Sequence, residues 1–320
     1  MVFSLRPKSI KATDIYVIII NIYINFYTLH KEIYINIIKF SHNTSNYINF
    51  MININDFNTF YQLIIISVIA LIIGSFVSLI TYRIDQKHIS AFKGFIFTRS
   101  KCPNCQNILK FYNLIPLFSW IIQLGKCSKC HNKISTRYPL IESSFLLFFI
   151  INYFATGQII NYQFIFLCAI ASILIYMCII DLEHYYIPDL SQYVLAVVIT
   201  SFVIYQSNEL DISYNLLSSL AYLGFGIALW LLFYYGAGIE AIGIDDLKFF
   251  FIAGFALTLD NFLIFMLLSG VFGLLYGSLW QYLKKDDSFP FAPSICLSFY
   301  IGLLIKDKFD AINIIGRLFF

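Results

Sequence analysis

Charge is what this chain has least of. Only 12% of its 320 residues are Asp, Glu, Lys or Arg, where soluble domains carry about a quarter. So thin a supply cannot cover a water-facing surface, and with 59% of the residues hydrophobic the expected solvent is lipid. The net charge of +3 is too small and too dispersed to serve a nucleic-acid partner. Familiar catalytic signatures are also missing: there is no G-x-S-x-G elbow, no H-E-x-x-H and no Walker A sequence, and the His residues are scattered. These absences argue against the serine hydrolases, zinc peptidases and P-loop enzymes that carry such motifs.

The first 50 residues are rich in Ile, Asn, Tyr and Lys and carry no motif. Their apolar run, Ile15 to Tyr27, is broken by Asn21 and Asn25 and falls short of the roughly 20 residues a spanning helix needs. No small-residue cleavage site follows it, so it does not read as a secretory signal. Met51 precedes a short polar stretch and then a long apolar run. The expectation is that Met51 is the natural start and that the segment before it is dispensable or mis-assigned, with residues 1–60 as an N-terminal extension ahead of the first span.

From Tyr61 onward, apolar segments occupy about 61–82, 140–155, 162–180, 190–206, 215–236, 247–259, 262–281 and 290–305. Only helices and closed barrels satisfy their backbone groups in lipid. Segments this closely spaced predict an all-α polytopic membrane protein with about eight transmembrane helices and a small cytoplasmic loop domain between the first two. The expected divisions are a first span at 61–82, the loop at 83–139, a membrane core at 140–305 and a tail at 306–320.

Lys and Arg set the orientation. The loop at 83–139 holds Arg83, Lys87, Lys93, Arg99, Lys101, Lys110, Lys126, Lys129, Lys133 and Arg137, which places it in the cytoplasm. Alternation then puts 181–189, 237–246 and 282–289 on the same side. The opposite connections, 156–161, 207–214 and 260–261, contain no Lys or Arg.

Four of the seven cysteines form two C-x-x-C pairs in this loop, Cys102/Cys105 and Cys127/Cys130, with 21 residues between the pairs. Each such turn can set two thiolates on one side of a metal, and two turns close a tetrahedral zinc site with no open position. Redox dithiols and unliganded thiols are the other readings of this spacing. Cys168, Cys178 and Cys296 stand alone in apolar runs and read as small buried hydrophobes.

Acidic residues gather at two places where apolar runs meet the cytoplasm: Asp181-Leu182-Glu183-His184 through Pro188-Asp189, and Gly243-Ile244-Asp245-Asp246-Leu247-Lys248. Ionisable groups near membrane depth tend to mark function. Each also has a structural reading. Asp189 and Gln192 fit a helix capping box, Glu183 and His184 fit solvated loop positions, and Asp245 fits a helix N-terminus. Two carboxylates on different helices at one depth suit peptide hydrolysis, in which one activates water and the other, neutral, polarises the scissile carbonyl.

Further motifs are Gly74-Ser75-Phe76 with Tyr82-Arg83, the stretch from Asn113 to Trp120 (NLIPLFSW), and Ile134 to Pro139 (ISTRYP) followed by Glu142. With the cysteine pairs and the acidic stretches, they resemble the type IV prepilin peptidases, the leader peptidases of type II secretion, over about 61–305. The resemblance implies that Asp181 and Asp246 are the catalytic aspartates, with Gly243 and Lys248 as supporting motif residues. Asp245 stands where the family has a second glycine, and Ala292, within Pro290-Phe291-Ala292-Pro293, where it usually has another. It further implies a multi-pass enzyme of the bacterial inner membrane, surrounded by lipid, with both aspartates on the cytoplasmic side. Such an enzyme would remove the short basic leader of prepilins or pseudopilins and methylate the new N-terminus with S-adenosylmethionine. The zinc of the loop would be structural. A related intramembrane aspartyl protease with other substrates and a catalytically silent zinc-loop scaffold are the alternatives.

Overall fold

The computed structural model describes residues 59–85, 99–206, 209–238, 242–285 and 289–306. The expected start at Met51, the extension before it and the tail after Lys306 lie outside the described residues. All eight apolar segments form helices: α1 (Thr59–Asp85), then, after the loop with its short α2 (Phe118–Ile122), α3 (Arg137–Ala155), α4 (Tyr162–His184), α5 (Asp189–Gln206), α6 (Glu209–Ala237), α7 (Ile244–Leu257), α8 (Phe262–Lys284) and α9 (Ala292–Ile305). Five of them, α1, α3, α4, α6 and α8, are long and apolar enough to cross a membrane, while α5 and α9 are shorter apolar helices. At 14 residues, α7 is also short of a full span.

The organising element is α4, which has two buried faces. Phe164, Cys168, Ile175 and Ile179 pack with Ile66 and Ala70 of α1 and Ile141, Phe145 and Phe149 of α3. A second face, Ile170, Ala171, Leu174 and Met177, joins another cluster made with α5, α7 and α9. Spacings of three and four residues separate these two faces on a helix of 3.6 residues per turn. The chain enters α4 through Asn161, whose side chain accepts the Phe164 N–H at 2.9 Å. It leaves through Tyr185, left-handed at φ 59°, whose N–H bonds the Asp181 carbonyl.

Lipid supplies no hydrophobic drive between helices, so close packing and interhelical hydrogen bonds must hold them. Tyr153 donates to Gln62 at 2.5 Å between α3 and α1, and Tyr300 donates to Asn152 at 2.7 Å between α9 and α3. Between α6 and α7, Asn215 donates to the Phe255 carbonyl at 2.6 Å. At that same contact Gly254 brings the backbones together: a Cβ there would lie 2.8 Å from Ser219 Cα and 2.9 Å from the Ser218 carbonyl oxygen.

Those neighbours are backbone atoms and cannot turn aside. Gly254→Ala is therefore expected to force α6 from α7 and cost about 1–3 kcal/mol of stability, lowering the midpoint of thermal unfolding in detergent. Gly236→Ala, where a Cβ meets nothing within 4 Å, is the control and should unfold at the wild-type temperature.

Candidate active site and metal centre

Asp181 lies in the last turn of α4, four residues after Met177 and on the same face, so it is carried into the cluster shared with α5, α7 and α9. It is buried. Its Oδ2 accepts the N–H of Ala292 at 2.8 Å, the first amide of α9 and so one of the donors that a helix N-terminus leaves unpaired. Ala292 is itself buried. The contact uses its backbone alone, which is how an alanine serves at this position.

Asp246 lies in the first turn of α7, in line with the buried Phe249, Phe250 and Ala253. Its Oδ2 accepts the Gly243 N–H at 3.1 Å, so it caps its own helix. Asp181 and Asp246 are within electrostatic reach of one another, and Asp245 is within reach of both. The charges of both aspartates also reach Cys296 of α9, and Tyr276 of α8 is in reach of Asp181. The structure thus gathers four helices, α4, α7, α8 and α9, around two carboxylates.

The third carboxylate is tied elsewhere. Lys248 reaches back one turn to Asp245 at 3.1 Å and across to Asp189 at 2.5 Å. Asp245 sits within the helical turn, where its backbone has no need of glycine. Gln192 does not complete the capping box expected with Asp189: its Nε2 donates to the Asp245 carbonyl at 3.1 Å instead. Together these bonds join the starts of α5 and α7, and Asp189 proves to be an anchor between helices.

Glu183, read from sequence as a solvated loop residue, is held in a fork. The guanidinium of Arg137 donates through Nε to Glu183 Oε1 and through Nη2 to Oε2 at 2.8 Å. It also donates to Thr81 Oγ1 at 2.8 Å and to the Ser78 carbonyl at 3.2 Å. A bidentate Arg–carboxylate pair with extra acceptors is among the stronger polar contacts. It binds the turn carrying Asp181 to α1 and α3. Sequence reasoning missed this link, although Arg137 stood in a quoted motif.

The cysteine loop is built from two matching turns. Cys102 N–H donates to the Asn107 carbonyl and Cys127 N–H to the Asn132 carbonyl, at 3.0 and 2.8 Å. The residue after each pair is left-handed, Gln106 at φ 54° and His131 at φ 58°. All four Sγ atoms lie within 4.8 Å of one another, and Cys102 and Cys130 are 3.8 Å apart. Four thiolates about 2.3 Å from a tetrahedral ion stand about 3.8 Å from each other, so the residues fit a metal. Backbone N–H groups of Cys130 and Lys129 favour the Cys127 thiolate and bring this thiol down to about 6. Cys105 receives similar help from Asn107, yet burial and the neighbouring sulfurs push it up to about 11. A cation would relieve that mutual repulsion. Cys168 and Cys296 are buried in the helical core and Cys178 is half-buried.

If the four thiols hold a metal, they should resist maleimide in the loaded protein. All four should become reactive after chelation, as counted by intact-mass spectrometry, and unchanged labelling would contradict metal ligation.

Residues 68–156 match the bacterial peptidase A24 N-terminal domain, and residues 168–278 match the type IV leader peptidase family. A prepilin leader peptidase/N-methyltransferase of Stutzerimonas stutzeri is 28% identical over 269 residues, covering 76% of this chain and 91% of that protein. Its counterpart from Vibrio cholerae serotype O1 is 26% identical over 260 residues, covering 76% and 96%. One from Myxococcus xanthus is 31% identical over 123 residues, covering 38% and 34%. No solved structure matches the chain significantly.

Proposed function

Because this chain belongs to the type IV leader peptidase family, we propose that it removes the leader peptide of type IV prepilins or pseudopilins at the cytoplasmic face of the bacterial inner membrane. Asp181 and Asp246 are the catalytic pair. The observation that carries this reading is that the two carboxylates, 65 positions apart in sequence, stand at the adjoining ends of different helices, one closing α4 and one opening α7, with Asp246 within reach of the charge of Asp181. In this reading the two carboxylates share one proton, as like charges in close proximity favour. The ionised one draws a proton from water, which attacks the scissile carbonyl, and the protonated one donates to the carbonyl oxygen. The Ala292 N–H keeps Asp181 in place through that exchange.

Lys248 occupies the third carboxylate, Asp245, and leaves Asp246 as the partner of Asp181. The names of the relatives support a second step, methylation of the new N-terminal amine. S-adenosylmethionine is its methyl donor, a substrate rather than a resident group. The loop metal is zinc, held by Cys102, Cys105, Cys127 and Cys130. Such a closed site supplies structure and leaves no position for a reacting water.

The test is cleavage of a prepilin in proteoliposomes. Wild type should shorten the precursor, while Asp181→Asn and Asp246→Asn, equally well folded, should each leave it intact. Asp245→Asn should retain cleavage, which separates the two neighbouring aspartates. An intact precursor after incubation with folded wild type would overturn the substrate assignment, and cleavage by Asp181→Asn would overturn the mechanism. Metal analysis of the purified chain should find zinc, and Cys102→Ser with Cys127→Ser should remove it.

A further inference from the structure

The insert between the cysteine pairs exposes apolar side chains where a water-facing loop would hide them. Phe118, Ile121 and Ile122 stand on one side of α2, 59%, 59% and 79% exposed, and Leu124 follows at 82%. Residues three and four apart share a helix face, so these form one patch.

Two further observations say what covers it. The first is depth. The insert is docked at its Leu117 end, where the Leu117 N–H donates to Glu142 Oε2 at 2.7 Å. Leu117 has a positive φ of 57° with ψ at −54°, a conformation that a leucine keeps only when its surroundings impose it. Glu142 is five residues inside α3, about 7.5 Å from its start at 1.5 Å per residue. It also contacts Ser75, ten residues before the end of α1. Both helices are long and apolar enough to cross a membrane. The start of α2 is therefore held beside the spans and below their cytoplasmic ends. The second is charge. From Arg99 to Arg137 there is no Asp or Glu, and Lys110 and Lys126 flank the insert. Even a doubly negative metal–thiolate centre leaves a surplus of positive charge.

An apolar patch at headgroup depth, bordered by basic residues, is the pattern of a segment lying in the interface of an anionic membrane. We propose that the 111–124 insert is a membrane-surface anchor: Phe118, Ile121, Ile122 and Leu124 enter the cytoplasmic leaflet, and the flanking lysines meet anionic headgroups. The loop domain is thereby laid against the bilayer beside the spans that bracket it. This inference concerns lipid contact and does not depend on which peptide the enzyme cuts.

Trp120 lies on the same short helix behind the patch, its ring against Gly125 and its Nε1 donating to the Ile134 carbonyl at 3.4 Å, close enough to report on it. The full chain is reconstituted in vesicles of phosphatidylcholine with phosphatidylglycerol, carrying lipids brominated at shallow or deep chain positions. Its Trp120 emission is the difference between wild type and Trp120→Phe. Shallow bromines should quench roughly half of that emission or more, and deep ones much less, because interfacial segments sit only about 5–10 Å into the leaflet. Quenching should weaken in phosphatidylcholine alone. Replacing Phe118, Ile121, Ile122 and Leu124 together by Ser should abolish it with the loop metal still bound. Should that variant lose its metal, Ile122→Asp alone carries the comparison. Trp120 emission untouched by bromine but fully open to acrylamide would overturn the proposal and leave the patch to a protein partner. Quenching that survives the Ser replacements would overturn it as well.

Discussion

The carboxylate of Asp181 takes its hydrogen bond from the first amide of α9, and much of the helical core follows from keeping that contact. α9 must begin beside the end of α4, and Pro290 just before it and Pro293 in its first turn suit the start of a helix. α4 must then be buried on both sides along its length, because one face serves α1 and α3 while the other carries Asp181 into the second cluster. The polar bonds from Tyr300 to Asn152 and from Asn215 to Phe255 set how the neighbouring helices meet around it. Asp246 enters the same cluster from α7, whose approach to α6 depends on Gly254.

Much of this was legible in the sequence because the signals were periodic or categorical. The eight apolar segments all became helices, with ends shifted by a few residues in either direction. The four cysteines converge, as two closely spaced pairs should. Asp181 and Asp246 stand at the helix ends where the apolar runs placed them. What could not be read were long-range polar pairings. Nothing local to Glu183 says that Arg137, 46 residues earlier, will grip it, and nothing local to Gln192 says that its amide will leave Asp189 for Asp245. Such choices depend on which helix ends arrive together, a property of packing that no window of sequence contains.

The departures from the family pattern show what the positions demand. At 292 the requirement is a backbone N–H, which alanine supplies as well as glycine does. At 245 the backbone is helical and open to any residue, but an added carboxylate needs a counter-charge. Lys248, one turn later, meets that need while also binding Asp189. An acidic residue beside the proposed catalytic pair is thus absorbed by an ion pair that already bridges α5 and α7.

The paired left-handed residues Gln106 and His131 make the two halves of the cysteine centre into copies of one clasp. A fastener of identical halves closes in the same way whatever hangs between them. The intervening stretch is consequently held at both ends by one and the same closure. Its inner end rests on α3 through Leu117, so the stretch works as a cantilever with a fixed root and a second support. A load on the free surface of such a beam is carried to the clasp and to the helices beneath it together.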